Sequence, residues 1–267
     1  KVIRKYCIKT GLAPWHGPKK EGFFRYLVVR KSFKTNELLF NLVTTSYELP
    51  KFDLHDFAQF LKGIFGERLA GLLHTINDEV GDRTIATSGS LELVYGKEKI
   101  VEELLGLNFE ISMKSFFQTN PKCAEKLYTK VVDYVLENKE AVDNTVVMDL
   151  FCGTGTIGQI VASKSNNAKI IGVDIVASAI EDAKENAKRN NIDGLKFYAA
   201  DVGKFLAAHP QYKGKIKTII LDPARAGIMP KTLQKIIDLG ADRMVYVSCN
   251  PATQARDTEL LMEHGYQ

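Results

Sequence analysis

The sequence predicts an α/β protein: a doubly wound, mostly parallel sheet preceded by a smaller α+β region. Three observations carry this expectation. After Pro121 the chain alternates short apolar runs of strand length with longer segments of helical spacing, the rhythm of strand-helix-strand units. Acids and a thiol stand at the ends of those runs, and an open α/β sheet gathers its ligands at the carboxyl ends of its strands. Before residue 115 the rhythm differs, with strands following one another and a single helix among them.

Within the first region, strands are expected over 24–30 and 37–44, joined through Lys34-Thr35-Asn36 as a hairpin. A helix over 53–65 follows, because Phe57, Phe60, Leu61 and Ile64 recur at helical spacing. Further strands are expected over 70–76, 91–95 and 108–112, and the domain boundary near residue 115 separates an α+β domain, 1–115, from the doubly wound domain, 116–267. In the second region a helix begins at Pro121 and a strand over 146–150 runs into the glycine-rich turn 151–158. The strand over 170–173 is closed by Asp174, with a helix over 177–190 behind it. The strands over 197–200 and 218–221 end at Asp201 and Asp222, and the fifth, over 243–247, ends at Ser248 and Cys249.

Composition narrows the class. With 267 residues, 45% hydrophobic and 25% charged, the chain can bury one large core or two smaller ones. No apolar run approaches the roughly 20 residues that cross a bilayer, and the basic N-terminus lacks an apolar signal segment, so a cytoplasmic protein with no membrane partner is expected. Cys7, Cys123, Cys152 and Cys249 are scattered without a C-x2-C pair, and the five histidines show no ligand spacing, so neither a metal site nor an iron-sulfur cluster is expected. The net charge of +4 is uneven: residues 1–35 hold ten Lys or Arg against the single acid Glu21. That stretch suits a polyanion such as RNA and equally suits a solvated basic arm. Phe23, Phe24 and Tyr26 interleave with it, as stacking on bases or a half-buried strand would require.

The glycine turn has two readings. Gly153, Gly155 and Gly158 match G-x-G-x-x-G with Asp174 about 20 residues on, the pattern of an NAD-dependent dehydrogenase. A dinucleotide, however, sets its pyrophosphate at the helix N-terminus, which disfavours a fixed acid nearby. Asp149 stands four residues before Gly153, and an acid there suits a cationic ligand such as S-adenosylmethionine.

Four segments in order, 115–120 (SFFQTN), 149–156 (DLFCGTGT), 221–227 (LDPARAG) and 248–257 (SCNPATQARD), resemble the RNA uracil-C5 methyltransferase family, which makes 5-methyluridine in ribosomal and transfer RNA. The resemblance covers roughly residues 20–267 and is densest after 115. Its last signature is more similar to the branch acting on 23S ribosomal RNA than to the transfer-RNA branch. It implies a Rossmann-like class I methyltransferase domain, S-adenosylmethionine as cofactor, RNA as partner and Cys249 as the nucleophile that adds to uracil C6 and so activates C5 for methylation. It also implies that Gln118, Phe151, Gly153, Gly155, Thr156, Asp174 and Asp222 surround the cofactor, with Asp174 accepting from the ribose and Asp149 and Asp201 as further contributors. Several of these residue types fit blander duties: Phe151 in the core, Gln118 capping the helix at Pro121, Asp201 capping the helix after it. Arg225 could meet the nucleic acid or pair with Asp222, and Pro223-Ala224 departs from the family's double proline. Cys152 is assigned to packing. By the resemblance, strands six and seven and the proton-abstracting Glu would lie beyond Gln267. A dehydrogenase and a non-catalytic RNA-binding module remain the readings from other classes.

Overall fold

The computed structural model describes residues 1–81, 91–137 and 145–267. The chain divides into two compact units, Lys1–Glu102 with Glu110–Lys114, and Glu103–Phe109 with Ser115–Gln267.

The first unit opens on helix α1 (Val2–Lys9), followed by strands β1 (Phe24–Lys31) and β2 (Leu38–Thr44), helix α2 (Leu54–Phe65), and strands β3 (Leu69–Ile76) and β4 (Leu91–Gly96). They form a four-stranded sheet in chain order. The hairpin β1-β2 is antiparallel, as the turn at 34–36 predicts, and Asn36 takes the left-handed conformation that such a turn needs. Glu102 is buried beside this turn and accepts from the Phe33 and Lys34 amides at 2.6 and 2.9 Å. The pair β2-β3 is parallel, because α2 carries the chain back to the starting edge. Asp53 caps that helix through the His55 and Asp56 amides. Its inward face buries Phe57, Ala58 and Leu61 against Phe40, Leu42 and Leu72 of the sheet.

Helix α1 was not foreseen from the sequence. It is held by Tyr6, which stacks on Phe60 at 4.2 Å between ring centres, touches Phe52 and Phe57, and donates to Asp56. The basic stretch is likewise not uniformly solvated. The Arg25 guanidinium lies over the Trp15 ring and donates to the carbonyls of Asn77, Glu79 and Gly81, so this cation is engaged inside the unit.

Strands β5 (Lys99–Leu104) and β6 (Leu107–Ser112) form a two-stranded hairpin, its closed end counted with the second unit. The second unit continues with α3 (Pro121–Val135), β7 (Val146–Leu150), α4 (Thr156–Lys164), β8 (Lys169–Asp174), α5 (Ala177–Arg189), β9 (Leu195–Ala199), α6 (Val202–Ala208), β10 (Ile216–Leu221), α7 (Pro230–Ile237), β11 (Arg243–Tyr246) and α8 (Pro251–Glu263). Its five strands run in the order β11-β10-β7-β8-β9, and every pairing is parallel. Side chains alternate between the two faces: Met148 and Leu150 enter a core with Val202, Phe205, Leu233, Ile236 and Leu261, whereas Val147 enters one with Tyr128, Val131, Ile157, Ile160 and Val161. Helices therefore cover both faces, as the doubly wound reading requires. Chain progression reverses at β7, with β8 on one side and β10 on the other, so the crevice of this sheet lies at the carboxyl ends of β7 and β10.

Candidate functional site

At the end of β7 the backbone turns sharply. Phe151, Gly153 and Gly155 all have positive φ, at 63°, 53° and 66°, and the Phe151 and Cys152 amides both donate to the Val173 carbonyl of β8. A side chain at Gly155 is barred twice, since its φ lies in the left-handed region and a Cβ would stand 2.5 Å from the Phe197 ring. A phenylalanine at positive φ is uncommon and stores strain at the mouth of the crevice. Its ring packs half-buried against the Leu150 and Leu221 core.

Asp174, at the end of β8, is fixed by two amides: Oδ2 accepts from Gly153 at 2.9 Å and Oδ1 from Val176 at 2.8 Å. Each oxygen keeps a lone pair for a ligand hydroxyl. The adjoining Ile175 and Val176 are exposed, an apolar lip beside the carboxylate. Thr156, the first residue of α4, is buried with its hydroxyl 3.1 Å from that of Thr154.

Asp149 is fully buried beneath the turn. Its Oδ2 accepts from the Gly158 amide at 2.9 Å, and Oδ1 has no partner among the described residues. Burial pushes its pKa up to about 7; the Gly158 amide opposes the rise, and the negative charges of Asp222 and Asp174 add to it. Asp222, half-buried after β10, is pushed up to about 6 by burial. Three carboxyls thus stand on the adjacent strands β8, β7 and β10, and none makes an ion pair among the described residues.

Gln118 lies beside the Tyr128 hydroxyl of α3. The cap of that helix is Asn120, whose Oδ1 accepts from Cys123, so Gln118 does not serve as the cap. Tyr128 itself is buried, and its hydroxyl pKa is raised first by burial and then by Asp222. No motif in the sequence singles it out; only its spacing on the inward face of α3 is visible there. Asp201 caps α6 through the Lys204 amide at 2.9 Å, which gives it a structural duty.

Cys249 is exposed between β11 and α8. The loop that carries it is tied to the loop after β10 by a dense clamp that sequence reasoning did not find. The Asn250 amide group and the Thr253 hydroxyl donate to the Arg225 carbonyl at 3.0 and 3.3 Å. Arg256 donates to the carbonyls of Ala226 and Ile228 and pairs with buried Asp257 at 2.6 Å. Asp257 in turn accepts from the Ile228 amide and the Tyr246 hydroxyl, both at 2.8 Å. The run 248–257 therefore reads as one exposed thiol followed by the residues that fix its loop against that of Asp222. Arg225 makes no ion pair among the described residues, so its pairing with Asp222 is not seen. Cys152 packs half-buried among Ile180, Ala183 and Phe197, and burial holds its thiol well above the ordinary value, which disfavours the thiolate. Cys123 is exposed and Cys7 half-buried, and the described residues contain no group of His, Cys, Asp and Glu able to hold a metal ion. Among them no helix is long and apolar enough to cross a membrane.

The geometry offers a strained glycine turn, three acids that make no ion pair among the described residues, and the exposed Cys249 thiol. Residues 141–265 match the family model for a methyltransferase domain. An uncharacterized RNA methyltransferase of Clostridium tetani is 45% identical over 248 residues, which make up 92% of this chain and 52% of that protein. One from Caldanaerobacter subterraneus is 41% identical over 262 residues, 98% of this chain and 55% of that protein. The chain thus spans about half the length of these relatives. Among solved structures, the Pyrococcus abyssi tRNA (uracil-54, C5)-methyltransferase in complex with S-adenosyl-L-homocysteine is similar with a TM-score of 0.71 and 29% identity, covering 97% of this chain and 58% of that one.

Proposed function

From the likeness to RNA methyltransferases and the placement of Cys249, we propose that this chain is the catalytic part of an S-adenosylmethionine-dependent RNA uracil-C5 methyltransferase. The observation that carries the reading is the exposed Cys249 at the carboxyl end of β11, clamped to the Asp222 loop and one strand removed from the glycine turn of β7. A cationic adenosyl cofactor fits the crevice. Asp174 would accept from the ribose hydroxyls, the positive-φ turn at 151–155 permits close backbone approach, and the orphaned Asp149 oxygen and Asp222 supply negative charge for the ammonium and sulfonium. Asp149, beneath the turn, opposes the pyrophosphate of NAD, which disfavours a dehydrogenase, whereas Asp174 suits the ribose of either ligand. When bound, the cofactor supplies an electrophilic methyl group.

Uracil C5 is a poor nucleophile. Addition of the Cys249 thiolate to C6 would form an S–C bond at the expense of the C5–C6 π bond and move electron density to C5, which would take the methyl group from the sulfonium as the neutral thioether leaves. Loss of the C5 proton to a base and elimination of the thiolate complete the exchange. The Tyr128 hydroxyl, bonded to Gln118, would hold that side chain in place, and Gln118 and Phe151 would flank the cofactor. The target must leave its stack to reach an exposed thiol at the sheet edge, so loops are preferred to duplex RNA. The exposed cations of the first unit would contact phosphates.

The signature 248–257 favours ribosomal RNA as substrate; the likeness to the tRNA (uracil-54, C5)-methyltransferase favours transfer RNA as the second reading. Nucleoside analysis after reaction with radiolabelled S-adenosylmethionine tests both. Label in 5-methyluridine is expected, more from 23S ribosomal RNA than from transfer RNA. Label in any other nucleoside would overturn the uracil-C5 reading.

A further inference from the structure

We propose that Asp149 reads the charge of the cofactor: its carboxyl holds a proton in the free protein and releases it to solvent when a positively charged adenosyl ligand binds, so the crevice selects a cationic methyl donor over neutral adenosyl compounds. This rests on the methyltransferase reading above and adds to it a proton-coupled selection.

The geometry requires some answer at this position. Asp149 has no exposed surface, one oxygen satisfied by the Gly158 amide and one with no partner among the described residues. The groups that interact with its charge are Asp174 of β8, Asp222 after β10, the Tyr128 hydroxyl of α3 and the Cys152 thiol of the turn, together with the Gly158 amide of α4, which is hydrogen-bonded to it. Only the last favours a carboxylate. A buried carboxylate with a bare oxygen and two acidic neighbours needs either a proton or a cation. The described residues supply no cation, since none of them pairs with any of the three acids. A proton serves in the free state, consistent with a carboxyl poised about pH 7. A ligand that carries its own positive charge replaces the proton, whereas a neutral ligand leaves it in place.

Titration calorimetry decides the matter, with S-adenosylmethionine and the neutral 5′-methylthioadenosine as probes. Measurements at about pH 5.5 and about pH 7 stay below the titration of the ligand's own amino group. For S-adenosylmethionine the affinity should rise about tenfold or more between these conditions, with buffer-dependent heats showing proton release; methylthioadenosine should change less than about twofold. Asp149→Asn, which keeps an acceptor for the Gly158 amide, should reduce the first slope to the part that Asp222 contributes. Equal slopes for the two ligands, a flat response to S-adenosylmethionine, or an undiminished slope in Asp149→Asn, beyond the part that Asp222 contributes from about pH 6, would overturn the proposal. If that variant does not fold, the two-ligand comparison in the unaltered protein still decides. Binding of neither ligand at either pH would overturn the methyltransferase reading itself, whereas pH-independent binding of S-adenosylmethionine removes only the role given to Asp149.

Discussion

Three acidic residues and one thiol carry most of the chemistry proposed for this chain, and the sequence showed each by its place at the end of an apolar run. Asp174, Asp222 and Cys249 stand at the ends of β8, β10 and β11 as that placement predicts. What their positions did not reveal is state. Asp149 looked like one more helper acid, and only its burial and the absence of a partner for Oδ1 show that it is the most perturbed of the group. Its pKa is raised on folding from 3.8 to about 7, so the folded state binds the proton more tightly than the unfolded state. The cofactor-free protein therefore loses stability as pH climbs through that window, by an amount on the order of 2–4 kcal/mol. Asp149→Asn should raise the melting temperature at about pH 7.5 and leave it nearly unchanged at about pH 4. A scan showing no gain at the higher pH would count against the buried, protonated carboxyl. At the same scale, Cys249→Ala should lower methyl transfer at least about a thousandfold while cofactor affinity holds, and a matching change at Cys152 should spare the chemistry.

Elements were legible where their periodicity was strong. The five parallel strands and the helices behind them follow from apolar runs whose ends are marked by acids or glycine, and the hairpin β1-β2 from its turn residues. Helix α1 escaped notice because its apolar face rests on Ile3 and Tyr6 among Lys1, Arg4, Lys5 and Lys9, and what stabilises it is an aromatic cluster from α2 distant in sequence. The clamp between the loops after β10 and β11 was equally hidden. Its partners, Arg256 with the Ala226 and Ile228 carbonyls and Asp257 with Tyr246, meet only once the strands are side by side. Gly227 shows how tight that meeting is: φ is 77°, and a Cβ would stand 2.6 Å from Arg256 and 2.8 Å from Asp257. Asp257→Ala should therefore cost about 2–3 kcal/mol, since it strands the Ile228 amide and the Tyr246 hydroxyl, while the half-exposed Arg256 turns to solvent. Thermal denaturation should show a drop on the order of 10 °C, and methyl transfer in the surviving folded fraction should fall because the Cys249 loop is no longer held.

At the scale of the whole molecule, the proposed function assigns RNA contacts to the exposed cations of the first unit and methyl transfer to the crevice of the second. The basic stretch 1–35 was read from composition, and the structure shows which part is available: Arg25 is occupied by backbone carbonyls, while Lys1, Arg4, Lys5, Lys9 and Lys20 stay exposed. Replacing Arg4, Lys5 and Lys9 of α1 by Gln should weaken RNA binding and reduce the slope of log affinity against log salt by about one unit for each phosphate no longer neutralised, with no effect on cofactor binding. An unchanged slope would place the RNA on another surface. The central claim, that the exposed thiol after β11 attacks a uracil, is tested most directly by incubating the protein with 5-fluorouridine-containing RNA and S-adenosylmethionine and mapping the trapped adduct by peptide mass spectrometry. The account predicts a covalent nucleotide on the peptide that contains Cys249 and none in Cys249→Ala. An adduct on Cys152 or Cys123, or no adduct with RNA that the protein demonstrably methylates, would contradict it.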